Sequence, residues 1–560
     1  MSIRIHSTSY MEPIPVKQFT SRPPKSNVKP YSVHVVEIIK PSDPRSHSKE
    51  AQQAKRKEIE GLIGRGTWKI VVEEDVPQNS NILSGHFVIT IKDVETDNPI
   101  YKARYVMHGQ KEKEKSQLVH IATTLRQSST RVIVSLAAIM GFRIWSHDIS
   151  QAYLQSAGTL LREVYLKPSK EFELSSNQLL KLLKPLYGLA DSGDYWNFTF
   201  ADHIKKDLHM TNTAGDLSLF FKSAHGKLCG LMGTYVDDSL LAGNHQFVQH
   251  TNKTLQKFDS KDREFDNTRF AGVYINTQKN GFLLHQKEYI KRLKKASTSS
   301  TFREFRSTRA QTTWMIHTRP DICCTVNMLA QVTEANFNKK HIRLLNKIIN
   351  QLKSTPTQGL QYQKLDTKSL HLKVYSDSSF ANNSDLSSQL GYIVLLCDKF
   401  YKCNILHFSS HKSRRIVRSV LGGEVYAFAD AFDYAYTMRH DLQSLLGQDI
   451  PIQMFTDSKS LFDVITKCSH TTEKRLMIDI STVRKAYENF EISDVGFLGS
   501  ENNPADAFTK IGSFPSLQKL LNTGMADFPI EQWIIRNSYS KKDEKASGEA
   551  FSCQLVFIDE

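Results

Sequence analysis

The chain has 560 residues, of which 40% are hydrophobic and 23% charged, a composition typical of several globular domains and not of a disordered chain. Its formal net charge of +15 favours a polyanionic partner, nucleic acid above all. The seven cysteines show no zinc-ligand spacing, and no apolar run approaches the roughly 20 residues that span a bilayer. These features argue against a zinc finger, a disulfide scaffold and a membrane-spanning protein.

Taken in chain order, residues 1–45 are rich in Pro, Ser and basic residues without any period, which predicts a disordered leader or linker. A helical pattern, SKEAQQAKRKEIEGLI, begins the ordered part. The strand-like runs TWKIVVEE, HFVITIKDV and PIYKARYVMHG follow, with VETDNPI as a turn between the last two. Residues 131–142 then predict a buried helix that leads into the strand RIWSHDIS.

Two hairpins are predicted next. In LCGLMGTYVDDSLLAG, apolar runs flank Asp237 and Asp238, which predicts a buried β-hairpin with carboxylates at its turn. FAGVYINTQKNGFLLHQ predicts a second hairpin with Asn280–Gly281 at its turn. Basic helices follow, KEYIKRLKKAS and HIRLLNKIINQLK, and strands alternate with helices from about residue 366 to NPADAFTK. Residues 513–560 are expected to form a C-terminal tail.

The acids of the first half suggest nucleotide transfer. That reaction brings a primer hydroxyl against an α-phosphate, and two divalent cations about 3.5–4 Å apart stabilise the attacking and leaving oxygens. Mg²⁺ prefers carboxylate oxygens. Asp148 in SHDIS and the Asp237–Asp238 pair lie within apolar strands, where an unpaired carboxylate is costly to bury. A lone Asp is more often a solvated loop residue, but YVDD between two apolar runs is distinctive.

YVDD resembles the active-site box of reverse transcriptases, and the surrounding sequence is similar to the Pol of copia-type (pseudovirid) LTR retrotransposons. The matching stretches are GTWKIV, YKARYVMHGQ, SHDISQAYLQ, EVYLKP, LLKPLYGL, LLHQKEYIKRL and HTRPDICCTVNMLAQ. The resemblance implies an α+β right-hand polymerase, with fingers and palm at 46–290 and thumb or connection at 291–365. An α/β RNase H-like domain would follow at 366–512.

The resemblance also implies residue roles in the polymerase. Two cations, Mg²⁺ or Mn²⁺, would be held by Asp148 and Asp237, and Asp238 would complete the set. Tyr153 would lie against the sugar and exclude a 2′-hydroxyl, although a core aromatic would look the same. Lys92 and Arg104 would contact the triphosphate, because ammonium and guanidinium groups suit phosphate oxygens; ordinary exposed bases are the alternative.

One stretch departs from the family pattern. LYGLADSGDYW has Ala190 and Asp191 where many relatives carry Lys and Gln, and Asp194 adds a further acid. In relatives this stretch packs on the template and the nascent base pair. The departure leaves open how this chain selects nucleotides, although the three polymerase acids are intact.

A second set of acids resembles retroelement RNase H, which hydrolyses RNA by the same two-metal chemistry with water as nucleophile. Asp377 and Asp457 end strands, while Glu424 and Asp506 open helical segments. Helix N-capping is the alternative for the last Asp and for a strand-terminal TDS. Two basic clusters would grip nucleic-acid phosphates, unless they are solvated faces: Lys291, Arg292, Lys294 and Lys295; and Lys412, Arg414, Arg415 and Arg418.

The sequence therefore predicts an RNA- and DNA-directed DNA polymerase with RNase H activity. Its expected partners are an RNA template, a DNA primer, RNA–DNA hybrids and dNTPs, together with integrase or capsid products of the same element. A cytoplasmic virus-like particle or the nucleus is the expected location. No protease, integrase or zinc-knuckle motif precedes the polymerase, so a polyprotein product or a truncated genomic copy is expected. The alternative function is a decayed or domesticated fragment that only binds nucleic acid.

Overall fold

The computed structural model describes most of the chain: residues 36–92, 99–118, 122–158, 160–260, 267–466 and 473–536. The predicted leader up to residue 35, most of the VETDNPI turn and the tail beyond 536 lie outside the described residues. None of the described helices is long and apolar enough to cross a membrane.

The first half of the chain contains fifteen strands and four α-helices among the described residues. In chain order these are β1 (Val36–Ile39), α1 (Lys49–Gly64), β2 (Trp68–Val72), β3 (Asn81–Leu83), β4 (Gly85–Lys92), β5 (Ile100–Met107), α2 (Gln127–Met140), β6 (Arg143–Asp148), β7 (Val164–Leu166), β8 (Gln178–Leu182), α3 (Ser192–Lys206), β9 (Thr211–Asn212), β10 (Leu219–Ala224), β11 (Lys227–Tyr235), β12 (Asp238–Gly243), α4 (His245–Thr254), β13 (Asn267–Phe270), β14 (Val273–Gln278) and β15 (Gly281–His285).

Two small sheets and α1 form the fingers. One sheet has the order β1-β4-β5 and the other β2-β8-β7-β3, and α1 packs on β5 through an apolar face that includes Leu62. Strand β1 corrects the predicted leader of residues 1–45, because residues 36–39 pair with β4 and Arg45 binds Glu37 at 2.9 Å. The ordered part therefore begins before the first helix.

The palm is the five-stranded antiparallel sheet β6-β12-β11-β10-β9. The predicted buried helix is α2, which packs on β11 and β12, and Gly141 ends it with φ +66. Helices α3 and α4 pack Trp196 and Phe247 into a separate core with Trp145 of β6. The hairpin predicted around YVDD is confirmed as β11–β12. The second hairpin is β14–β15, but its turn is Lys279–Asn280, one residue earlier than predicted.

A helical thumb is inserted between two neighbouring strands of one sheet. It contains α5 (Lys287–Arg292), α6 (Phe302–Thr313), α7 (Cys323–Ala330) and α8 (Lys339–Ser354), with a core of its own. The chain then returns as β16 (Leu360–Gln363), which pairs with β15 in the sheet β13-β14-β15-β16. The thumb is thus anchored at both ends to the sheet beside the palm.

The last unit is an α/β domain around a six-stranded sheet of order β19-β18-β17-β20-β21-β22, in which β17, β20 and β21 run parallel. Its elements are β17 (His371–Ser379), β18 (Gln389–Cys397), β19 (Cys403–Lys412), α9 (Val420–Leu446), β20 (Ile452–Thr456), α10 (Lys459–Thr466), α11 (Met477–Glu488), β21 (Asp494–Phe497), α12 (Pro515–Thr523) and β22 (Gln532–Trp533).

The predicted tail at 513–560 is wrong as far as residue 536. Helix α12 buries Leu517 and Leu520, each 2–3% exposed, and β22 adds an edge strand to β21. Burial of this apolar helix face makes residues 515–533 part of the last domain.

The last domain docks directly on the palm, and its core is continuous with α2. Arg131 of α2 is 3% exposed; its guanidinium lies 4.4 Å from the centroid of the Phe408 ring, and its Nη2 donates to the His317 carbonyl at 3.1 Å. Tyr434 of α9 donates its hydroxyl to Ser128 Oγ at 2.7 Å. The buried side chain of Arg131 in the palm therefore contacts both the thumb and the last domain.

Candidate active sites

The polymerase acids meet at one end of the palm sheet. Antiparallel pairing of β6 with β12 sets Asp148 directly opposite Asp238. Val236 and Asp237 form the two-residue turn between paired Tyr235 and Asp238, and the Ile149 backbone N–H donates to the Asp237 carbonyl at 2.9 Å. The sheet register alone thus brings the three predicted acids onto neighbouring positions.

These acids face different surroundings. Burial and the neighbouring Asp237 raise the pKa of Asp238 to about 6, while Arg269 and the backbone of Ala271, on the side of β13, oppose the shift. The charge of Asp237 also contributes to the raised pKa of Tyr153, for which burial is the main cause. The ligand atoms of the three acids do not all lie within 4.8 Å of one another.

On the Asp237 side lies an aromatic and basic pocket. The rings of Tyr153 and Tyr187 are 5.2 Å apart at 45°, and the Arg104 guanidinium lies 5.3 Å from the centroid of Tyr187. Burial raises the pKa of Tyr187 to about 12, so the phenol is neutral at ordinary pH. The structure thus brings predicted residues Tyr153 and Arg104 together with Asp237. The side chain of Lys92, at the end of β4, lies outside what the structure describes.

The departure at Asp191 has a structural explanation. Asp191 accepts from both terminal nitrogens of Arg162, at 2.5 and 2.9 Å, and Arg162 Nε donates to Glu112 at 2.6 Å. Side-chain exposure is 13% for Arg162, 10% for Asp191 and 0% for Glu112. Asp191 therefore belongs to a buried ion network that joins the fingers to the start of α3. The sequence had given no indication of its partner.

The second site lies at the edge of the six-stranded sheet. Asp377 of β17, Glu424 of α9 and Asp457 after β20 each offer an oxygen within 4.8 Å of the others. Ser378 Oγ donates to Glu424 Oε1 at 2.9 Å, whereas buried Glu424 Oε2 has no hydrogen-bond partner within the protein. Burial, and then the charge of Asp506, raise the pKa of Asp377 to about 7. Burial and the Asp377 charge raise the pKa of Glu424 well above its usual value.

Asp506 joins this cluster from its rim. Lys510 Nζ lies 3.0 Å from Asp506 Oδ1 and 3.4 Å from Asp377 Oδ2, so it links the two acids. Neighbouring residues, and not the two acids, cap the helical segments here. Asn503 accepts from the Ala505 N–H, and Ser458 Oγ accepts from the Leu461 N–H.

Two further hydrogen-bond partners of these acids were not predicted from the sequence. Asn503 Nδ2 donates to Asp457 Oδ1 at 3.0 Å, and the Thr509 hydroxyl donates to Asp377. The position of Lys510 four residues after Asp506 was the one available signal, because residues at this spacing share a helix face.

The predicted basic clusters are at the surface. Lys291, Arg292, Lys294 and Lys295 are exposed around α5, and Lys291 lies 3.0 Å from Glu288. In the second cluster, Lys412 pairs with Asp385 and Arg415 with Asp479 at 2.9 Å, while Arg414 and Arg418 are also exposed. Half of the second cluster is therefore already engaged by acids of its own domain.

The palm sheet with its acidic hairpin, flanked by fingers and thumb, has the architecture of right-hand nucleic-acid polymerases. Residues 65–304 match the family "Reverse transcriptase (RNA-dependent DNA polymerase)". The chain is 28% identical over 405 residues to the retrovirus-related Pol polyprotein from transposon RE1 of Arabidopsis thaliana, covering 67% of this chain and 26% of that protein. The chain is also 25% identical over 509 residues to the retrovirus-related Pol polyprotein from transposon TNT 1-94 of Nicotiana tabacum, covering 83% of this chain and 37% of that protein. Residues 65–304 therefore match a reverse-transcriptase family, and the chain is similar to the Pol polyproteins of copia-type retrotransposons, as the sequence predicted.

A solved structure shares this fold. The foamy viral protease-reverse transcriptase in complex with an RNA/DNA hybrid superposes with a TM-score of 0.50 at 13% identity, covering 83% of this chain and 55% of that chain. Together with the family match, it confirms the predicted fold class. The chain spans about a quarter of the length of its RE1 relative, so the activities of whole polyproteins enter only as proposals.

Proposed function

We propose that the chain is a reverse transcriptase that copies RNA and DNA into DNA and degrades RNA in hybrids at a separate site. The observation that carries the proposal is the presence of two acid constellations on one chain. One is the YVDD hairpin with Asp148 opposite Asp238, and the other is the set Asp377, Glu424 and Asp457 with oxygens within 4.8 Å. The family match supports the first activity; the second rests on the geometry of the acids.

The donor chemistry fits divalent cations at both sites, and at the second site the oxygens of Asp377, Glu424 and Asp457 also lie within 4.8 Å of one another. Every donor is a carboxylate, which Mg²⁺ and Mn²⁺ accept, and the buried Glu424 Oε2 lacks a partner within the protein. In the polymerase, Asp148 and Asp237 would hold two ions; in the nuclease, Asp377, Glu424, Asp457 and Asp506 would do so. Bound ions would supply stabilisation of the attacking and leaving oxygens.

The chain's own side chains would orient the substrates. Tyr153 packs beside Tyr187 on the Asp237 side of the hairpin, where a ring would fill the space of a 2′-hydroxyl. Arg104, close to Tyr187, presents a guanidinium suited to triphosphate oxygens. The exposed bases of α5 and of residues 412–418 would grip the phosphates of template, primer and hybrid without reading sequence. We also propose that the chain acts in a cytoplasmic virus-like particle or in the nucleus, with integrase or capsid products of the same element as further partners.

The test separates the two sites on one folded chain. Asp237→Asn is expected to abolish primer extension and leave hybrid cleavage, while Asp457→Asn is expected to do the reverse. Asp259→Asn, at an exposed acid that pairs with Arg65, is the control and leaves both activities. One substitution that silences both activities in a folded protein would contradict two separate sites. Absence of both activities in the unmutated chain, with hybrid still bound, would favour a decayed or domesticated nucleic-acid-binding protein.

A further inference from the structure

The turn that carries Asp237 is conformationally strained. Val236, its first residue, has φ +55, in the left-handed region that β-branched residues rarely adopt. Such a conformation carries a strain energy and persists only where the surroundings fix it. Pairing of Tyr235 with Asp238 closes the turn but leaves the peptide after Val236 without a ladder partner from that pair. The neighbouring structure must therefore hold this peptide.

Trp196 supplies that hold. Its indole Nε1 donates to the Val236 carbonyl at 2.6 Å, and the side chain is only 2% exposed. The ring is itself fixed, because it stacks on Phe200 with centroids 5.1 Å apart and meets the edge of Phe258 at 5.5 Å. The donor is thus preorganised, and its partner is the peptide that precedes Asp237.

Helix α3, which carries Trp196, is anchored at its start. Asp191 immediately precedes the helix and is held by Arg162 through two hydrogen bonds, and Ser192 Oγ donates to the Leu186 carbonyl at 2.7 Å. The LYGLADSGDYW stretch thus runs from a buried ion pair at Asp191 to the indole at Trp196. The departure from the family pattern is at Asp191, which anchors the start of α3, whereas the Trp196 indole contacts the turn that carries Asp237.

A small cavity lies beside the contact. It has a volume of about 70 Å³ and is lined by Tyr153, Gly193, Trp196, Thr234 and Val236, among others. Space on this side leaves the Val236 peptide room to rotate once the indole N–H is removed. Rotation about this peptide would move the carboxylate of Asp237, the next residue.

We propose that Trp196 is a positioning residue for nucleotide transfer: its indole N–H holds the strained Val236 peptide and so directs Asp237 toward the Tyr153 and Arg104 side of the hairpin. This role rests on the proposed polymerase function and adds a residue outside the acid set. Because the contact is a single hydrogen bond to a neutral group, its loss is expected to slow the chemical step by about tenfold.

The experiment compares two identical substitutions in one core. Trp196→Phe keeps a ring but removes the donor, and Trp145→Phe removes the same volume from the same cluster at a position opposite Leu241 of β12. We expect Trp196→Phe to lower kcat for primer extension about tenfold relative to Trp145→Phe. The affinity for primer–template and the hybrid-cleavage rate of the same chain are expected to stay unchanged.

A second variant separates positioning from mere packing. Val236→Asn relieves the strain, because Asn tolerates a positive φ. In the Trp196→Phe background it is expected to recover extension to within about threefold of the unmutated chain, since a relaxed turn needs no external donor.

Four results would overturn the inference. Equal extension by the two Trp→Phe variants would show that the indole N–H is irrelevant. Parallel loss of hybrid cleavage, or no recovery with Val236→Asn, would show general damage to the fold. An unmutated chain that extends no primer would refute the proposed function itself, and the positioning role with it.

Discussion

The buried Arg162 network offers a sharp test of the fingers. Arg162→Met keeps most of the side-chain volume but removes the cation between Asp191 and Glu112, which are 10% and 0% exposed. The two carboxylates would then be buried without their partner. Breaking a buried ion pair in this way costs about 3–5 kcal/mol. For a folding unit of about 200 residues, each kcal/mol lowers Tm by about 2–4 °C, so a fall of roughly 6–20 °C is expected.

The assay is thermal unfolding followed by fluorescence, with Arg65→Met as the matched control. Arg65 also pairs with an aspartate, but that partner, Asp259, is 69% exposed, so its loss is expected to cost at most about 1 kcal/mol. Asp191→Asn added to Arg162→Met is expected to recover part of the lost stability, since one buried charge is removed. Equal stability of the two Arg→Met variants would refute the conclusion that the network is buried and coupled.

Three further predictions concern selectivity, pH and the C-terminal helix. Tyr153→Val is expected to raise ribonucleotide incorporation at least about tenfold by opening the sugar pocket; unchanged dNTP/rNTP discrimination would exclude the gate. Burial lowers the pKa of His317 to about 3 and that of His407 well below 6.5. Below pH 6.5 the unfolded chain therefore binds protons that the native chain does not. Stability measured by urea unfolding should fall by about 1.4 kcal/mol per pH unit through His317 as the pH drops toward 3, and His407 should add to the loss in the same direction. Leu517→Ala is expected to cost about 2–5 kcal/mol in the same assay, whereas a true tail position would cost nothing.

Local patterns predicted much of this molecule. The YVDD hairpin followed from two apolar runs around a short turn, and α2 followed from a continuous apolar stretch ending at Gly141. The acids of the second site were predicted from their order and sequence context, which resemble those of retroelement RNase H. Helix α12 could also have been predicted from the sequence, because Leu517 and Leu520 recur at helical spacing.

Other features depend on contacts between distant segments. Arg162 meets Asp191 and Glu112 across 29 and 50 positions, and Tyr434 meets Ser128 across 306. The hydrophobic periodicity of a single segment cannot predict contacts between residues so far apart in the chain. The docking of the last domain on the palm and the hydrogen bond from Trp196 to the Val236 carbonyl form only when the chain is folded.

Primer extension by the purified full chain on an RNA template with Mg²⁺ tests the central claim most directly, with Asp237→Asn as the paired control. We expect DNA synthesis by the unmutated chain and its loss in the variant, with hybrid cleavage intact in both. Synthesis that survives in Asp237→Asn, or no synthesis by a folded chain that still binds the primer–template, would contradict a reverse transcriptase whose chemistry takes place at the YVDD hairpin.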